Sequence, residues 1–147
     1  MLRTLLCAIL LATSPLTLAQ AVAEPQRFGD LLVYRTLFNS SFLLPEVAAN
    51  TGLERGPNIG VLNILVKRDT PDGPVPVDAL IGGSVKNIFE QVQPLNFIRI
   101  EEGEAVYFVA NYTSTQREVL RFVVTVQAEE GAPVHTLNFQ QEFHPDE

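Results

Sequence analysis

Between residues 119 and 143 the side chains alternate, apolar then polar, with a period of two. Leu120, Phe122, Val124, Val126 and Ala128 fall on one face of an extended chain. Val119, Arg121, Val123, Thr125 and Gln127 fall on the other. Successive side chains of a strand point to opposite faces, so this order predicts a strand with one buried face. Leu137, Phe139 and Phe143 repeat the pattern against Thr136, Asn138, Gln140 and Glu142, and only Gln141 interrupts the apolar row. The segment Glu129-Glu130-Gly131-Ala132-Pro133 between the two runs has turn composition. Together they read as a hairpin.

The earlier chain follows the same rhythm less sharply. Phe28 to Phe38 is a candidate first strand, and Val61 to Arg68 a second, with Leu62, Ile64 and Val66 on one face. Asp69-Thr70-Pro71-Asp72-Gly73-Pro74 is a turn cluster. Val75 to Ile88 reads as a third strand, with a bulge or bend expected at Gly82-Gly83. Leu95 to Glu101 and Ala105 to Tyr112 read as a fourth and fifth, joined through Glu101-Glu102-Gly103-Glu104. One short helical turn is predicted near residues 45–50, where Pro45 suits a first turn and Gly52 ends it. Seven short strands separated by turn signals predict an immunoglobulin-like antiparallel β-sandwich, with a small closed barrel as the alternative. The sandwich rests on strand count, because neither a conserved-type cysteine pair nor a tryptophan is present to mark it.

Residues 1–21 have a different composition. Arg3 precedes an apolar stretch from Leu5 to Leu18, followed by the small-x-small sites Ala19-Gln20-Ala21 and Ala21-Val22-Ala23. That order predicts a secretory signal peptide, cleaved after Ala21 or Ala23. A membrane span needs roughly 20 apolar residues, and this stretch is shorter and interrupted by Pro15. Residues 22–147 are then expected to form a single β-sandwich domain, periplasmic or secreted, with no integral membrane segment after cleavage. Cys7, the one cysteine, leaves with the leader. Thiol chemistry and cysteine metal sites are thereby excluded from the exported domain, whose stability must come from packing.

Loss of Arg3 moves the formal charge from −7 to −8. Binding nucleic acid requires clustered Lys or Arg, so this balance argues against it, as it does against an anionic membrane surface. The search for chemistry finds no diagnostic constellation. His135 and His144 are nine residues apart, an odd spacing that puts them on opposite faces of a strand, so no metal site is expected. A Ser84–His135 relay has nothing in its spacing to favour it. Glu101, Glu102 and Glu104 sit at a predicted turn and read as a solvated charge run. Asp69, Asp72 and Asp78 lack the spacing of a calcium loop, and no glycine-rich phosphate loop occurs. No cofactor is expected. Asn63 stands mid-strand among apolar neighbours and is expected to bond a loop backbone.

Several segments carry a likeness to a known family. They are Phe28-Gly29-Asp30, Leu43 to Ala48, Arg55, Leu62-Asn63-Ile64, Leu95-Asn96-Phe97, Glu104 to Ala110, Leu120-Arg121-Phe122 and Phe139 to Phe143. In these the chain resembles an uncharacterised family of small secreted proteobacterial proteins, a domain of unknown function. The resemblance covers nearly all of residues 22–147 and implies a bacterial periplasmic or exported β-sandwich. It brings no activity, substrate, cofactor or catalytic residue. The family pattern has His-Tyr-Asn where Tyr34, Arg35 and Thr36 stand, and an aromatic at Thr51, so no role is assigned to that stretch.

Two functions remain as expectations. The first is a non-enzymatic binding or interaction module that pairs an edge strand with another envelope protein, a mode that needs no diagnostic side chain. The alternative is a small envelope hydrolase or ligand-binding protein whose site is built from loop residues. Asp30, Glu46, Arg55 and Asn63 are its candidate residues.

Overall fold

The computed structural model describes residues 24–147. Ten strands form two antiparallel sheets: β1 (Gln26–Phe28), β2 (Leu31–Asn39), β3 (Ile59–Arg68), β4 (Val75–Pro76), β5 (Leu80–Lys86), β6 (Val92–Pro94), β7 (Ile98–Glu102), β8 (Ala105–Thr113), β9 (Glu118–Gln127) and β10 (Val134–Phe143). The larger sheet runs β1-β2-β3-β8-β7, with β4 added to the end of β3, and the smaller runs β10-β9-β5-β6. A 3-10 turn (Ser40–Phe42) and α1 (Pro45–Thr51) connect β2 to β3. The two sheets are separate, which decides for the sandwich over the closed barrel. No helix among the described residues is long and apolar enough to cross a membrane.

The strongest alternation builds the strongest contact. Leu120, Phe122, Val124 and Val126 of β9, with Val85, Leu137 and Phe143, are almost wholly buried. They pack against Leu31, Val33, Leu62, Ile64, Val66, Phe108, Ala110 and Tyr112 of the larger sheet. Phe122 stacks on Phe139 with centroids 5.0 Å apart, and Tyr112 meets Phe122 edge-on at 5.0 Å. β9 and β10 pair over ten residues from Val134↔Gln127 to Phe143↔Glu118, so the predicted hairpin is present at full length.

Two predicted strands prove to be two each. The segment from Phe28 reverses at Gly29-Asp30, with Gly29 at φ 62°, to make the β1–β2 hairpin. Val75–Pro76 pairs with β3 in one sheet and Leu80–Lys86 with β9 in the other, the chain crossing at Val77–Ala79. The fourth predicted strand, Leu95 to Glu101, begins late, as Ile98–Glu102 paired with β8, and Val92–Pro94, outside every predicted strand, pairs with β5. The expected bulge at Gly82-Gly83 is absent: both glycines keep unbroken register, opposite Thr125 and Val124. Gly83 serves close approach instead, since a Cβ there would stand 2.4 Å from the Val123 carbonyl oxygen.

Candidate functional site

The sequence candidates do not assemble into one site. Asp30 lies at the β1–β2 turn, where its carboxylate accepts from Arg68 at 2.6 Å. Glu46 is exposed in the first turn of α1, and Arg55 donates to the Ser41 carbonyl at 3.2 Å. The β2–β3 ladder separates these groups, running from Leu31↔Arg68 at the Asp30 end to Asn39↔Gly60 at the α1 end. Nine paired residues at about 3.3 Å each put Asp30 roughly 25 Å from the α1 end. Asn63 sits midway along the ladder, opposite Thr36 and Val109. Its Oδ1 is buried and has no partner, so the expected bond to a loop backbone does not form. The side chain lies on the outer face of the larger sheet, away from the main core, where local pattern could not place it.

That outer face is sealed by the β2–β3 connection. Leu53, Val61 and Val109 form a second buried cluster with Phe38, Leu43, Ile98, Ile100 and Tyr107 around it. The Ser40 hydroxyl fastens the segment by accepting from the Gly56 N–H at 2.9 Å and donating to the Gly56 carbonyl at 3.0 Å. The Asn111 side chain accepts from the Glu54 N–H at 2.8 Å and donates to the Gly60 carbonyl at 3.2 Å.

The other polar candidates are spent on structure. His135 stacks on Phe28 at 4.7 Å, and His144 stands beside Glu142 at 3.6 Å. Ser84 pairs with Val123 on the outer face of the smaller sheet while His135 pairs with Val126 on its inner face, so the two cannot form a relay. Arg99 grips Asp78 at 2.8 Å and Glu101 at 2.6 Å, and its guanidinium holds the Asp78 carboxyl below the usual range. Asp69 pairs with Arg27 at 3.0 Å. No group of three or more His, Cys, Asp or Glu side chains converges among the described residues.

The smaller sheet offers what the larger one covers. Most sheet ends in the described residues are blunted in ways that discourage pairing. β1 and β6 have three residues each, β6 ending in Pro94, and β4 has two. β7 carries Arg99, Glu101 and Glu102 in five residues. Beyond β1, the rest of β2 turns Arg35 into the gap between the sheets, its guanidinium 4.4 Å above the Phe139 ring. β10 differs. It runs ten residues at the end of its sheet without proline, lysine or bulge. In an antiparallel pair the ladder uses alternate N–H and C=O groups, so the other half of the β10 backbone points away from β9.

A depression of about 410 Å³ adjoins this edge on the outer face. The register arranges its side chains in two rows across the strands: Lys86, Arg121 and Gln140, then Ser84, Val123 and Asn138. The next row is Gly82, Thr125 and Thr136, where the Thr125 hydroxyl stands over the glycine. Exposed Leu80, Val92, Val119, Val123 and Val134 share the same face. Glu90, in the β5–β6 turn, takes both cations: Lys86 Nζ lies 3.3 Å from its carboxylate, and Arg121 pairs with the other oxygen. Arg121 and then Lys86 hold the Glu90 carboxyl below its usual range. Sequence reading missed this surface. Its one signal was the outward row of amides and hydroxyls in β10, which said nothing of where β10 lies in the sheet.

Comparison with known proteins fits this architecture. No curated protein matches the chain. A DUF4426 family protein from Pseudomonas aeruginosa PAO1 is similar in structure, with a TM-score of 0.72 and 42% identity over 84% of this chain and 96% of that one. A copper-bound variant of FetP from uropathogenic Escherichia coli strain F11 shares the fold at TM-score 0.58 and 10% identity, over 84% of this chain and 91% of that one. FetP as isolated after recombinant expression in the periplasm of E. coli gives 0.58 and 9%, over 84% and 95%. The model of the domain of unknown function DUF4426 matches residues 25–146, so the chain belongs to the DUF4426 family.

Proposed function

We propose that this protein is a binding module of the bacterial cell envelope, which takes up an extended segment of another envelope protein along β10. The observation that carries this reading is the open ten-residue edge, the longest free backbone among the described residues, whose other sheet ends are short, charged or closed by proline. Strand addition draws its affinity from main-chain hydrogen bonds and its selectivity from side chains on alternate positions. The outer face beside β10 offers such positions in Thr136, Asn138 and Gln140. An exported location is supported by the leader-like composition of residues 1–21, which lie outside the described residues, and by the fold shared with FetP. The copper in FetP belongs to that protein. Here the two histidines are apart and held by other partners, so no copper site is built on them. The loop-built hydrolase gains no support from Asp30, which is remote from Glu46 and Arg55.

The test is site-specific photo-cross-linking in intact cells. A photoreactive residue at Thr136 or Gln140 is expected to give a protein adduct of discrete mass, and one at Glu102 on β7 is expected to give none. Gln141→Lys puts a charge on the inward side of the edge, a device that blocks strand pairing, and is expected to remove the adduct. Equal labelling from β7 and β10, or an adduct that survives Gln141→Lys, would contradict strand addition.

A further inference from the structure

Resting on the strand-addition reading, we infer that the segment received by β10 is acidic, and that Glu90 occupies the cation site for its carboxylate until it arrives. The turn that presents Glu90 is unusual. At φ 64° Glu90 is the one non-glycine residue with positive φ among the described residues. Left-handed backbone disfavours side chains with a Cβ, and hairpin turns of this kind place Gly or Asn there. The turn is nevertheless firmly built. Asn87 Oδ1 accepts from the N–H groups of Phe89 and Gln91 at 2.9 and 3.0 Å, and Asn87 Nδ2 donates to Gln91 Oε1 at 2.8 Å. A strained position thus holds a carboxylate against two cations from neighbouring strands, Lys86 and Arg121.

The rows indicate where a second carboxylate would go. Lys86, Arg121 and Gln140 lie side by side on β5, β9 and β10. A strand added beyond β10 continues that row. Its side chain opposite Gln140 stands about 10 Å from Arg121, two strand spacings away, a span that an arginine and a glutamate side chain cover together. Ser84, Asn138 and Gln140 make no side-chain hydrogen bond within the described residues, leaving polar groups to line the path. The ion pairs are redistributed: the incoming acid takes Arg121 from Glu90 while Lys86 keeps Glu90. The chain's overall charge of −7 repels acids at long range, so preference for one must come from this local pair and weaken with salt.

The probe is an eight-residue peptide of alternating valine and threonine carrying one central glutamate. It is methylated at alternate amide nitrogens so that it cannot stack on itself. A twin carries glutamine in place of the glutamate. Each is titrated into the isotopically labelled exported protein and followed by amide and arginine side-chain NMR shifts. An exposed charge pair corresponds to about two- to fivefold in affinity. The glutamate peptide is expected to bind tighter by that factor, moving the amides of residues 134–143 together with the Arg121 side chain. Arg121→Gln is expected to erase the preference, and Glu90→Gln to enlarge it. Equal binding of the twins along β10 would overturn the acid preference and leave strand addition standing. No shift along β10 with either peptide at millimolar concentration would overturn both. Shifts at Lys86 and Arg121 without shifts along β10 would show a bare anion site and overturn the inference.

Discussion

Replacing Gly60 by alanine tests a close approach between a tyrosine ring and a strand backbone. Gly60 of β3 pairs directly with Tyr112 of β8, and the tyrosine ring lies over it. A Cβ at Gly60 would stand 2.3 Å from Tyr112 Cζ, 2.4 Å from Cε2 and 2.6 Å from the hydroxyl oxygen. The ring has to withdraw by about 1 Å to reach ordinary van der Waals distance. It has little room to do so, because Tyr112 is only 3% exposed and packs edge-on against Phe122 and Phe143. Overpacking of this kind costs about 1–3 kcal/mol, offset by ~0.5–1 kcal/mol from removing a strand glycine. A net loss of ~1–2 kcal/mol is expected. For a domain of this size that lowers Tm by roughly 4 °C per kcal/mol. Urea denaturation followed by circular dichroism, run as a double-mutant cycle with Tyr112→Val, isolates the contact. Without the ring, Gly60→Ala is expected to become stabilising by ~0.5 kcal/mol. The same penalty in both backgrounds would refute the steric explanation.

Three further outcomes follow from the packing and the charge pairs. Burial pushes the Tyr112 hydroxyl up to about 12 from 10.0. Because the folded-state value is the higher one, its contribution is complete below pH 10 and is lost as pH rises through 12. That amounts to roughly 2–3 kcal/mol at most, and Tyr112→Phe is expected to flatten alkaline denaturation over that window. Phe122→Ala removes a side chain stacked on Phe139 and 1% exposed; a loss of about 3–5 kcal/mol is expected by equilibrium unfolding, and less than 1 kcal/mol would contradict its central place. Arg99 holds the Asp78 carboxyl below its usual range, so that pair stabilises the fold above the unfolded value of 3.8 and ceases to as pH falls below it. Asp78→Asn is accordingly expected to make acid unfolding less steep, with only a small change at neutral pH because the pair is exposed.

The sequence made some elements plain and hid others for definite reasons. In the β9–β10 hairpin each face is uniform over ten residues, so local alternation suffices to locate both strands and their buried sides. Val75 to Lys86 also alternates, but the chain changes sheets at Val77–Ala79. Which sheet a segment joins depends on pairing with residues far away, here β3 for Val75–Pro76 and β9 for Leu80–Lys86. Asn63 was conspicuous as a polar residue in an apolar run. Its environment comes from the β2–β3 connection folding over the outer face, a long-range event. The open edge was invisible for the same reason, since being last in a sheet is a property of topology. Asp30 lies in the β1–β2 turn, whereas Glu46 in α1 and Arg55 in the loop after it lie at the other end of the β2–β3 ladder, so Asp30 cannot share a site with them.

Amide hydrogen exchange along Val134–Phe143 tests the central claim most directly. Measured on the protein alone, half of these amides lack a β9 partner and are expected to exchange fast, alternating with protected neighbours. In the presence of the envelope protein captured by cross-linking at Thr136 or Gln140, the fast set is expected to become protected while β7 is unchanged. Protection of all ten amides in the isolated protein, or no gain on adding the captured protein, would contradict an open edge that receives a strand.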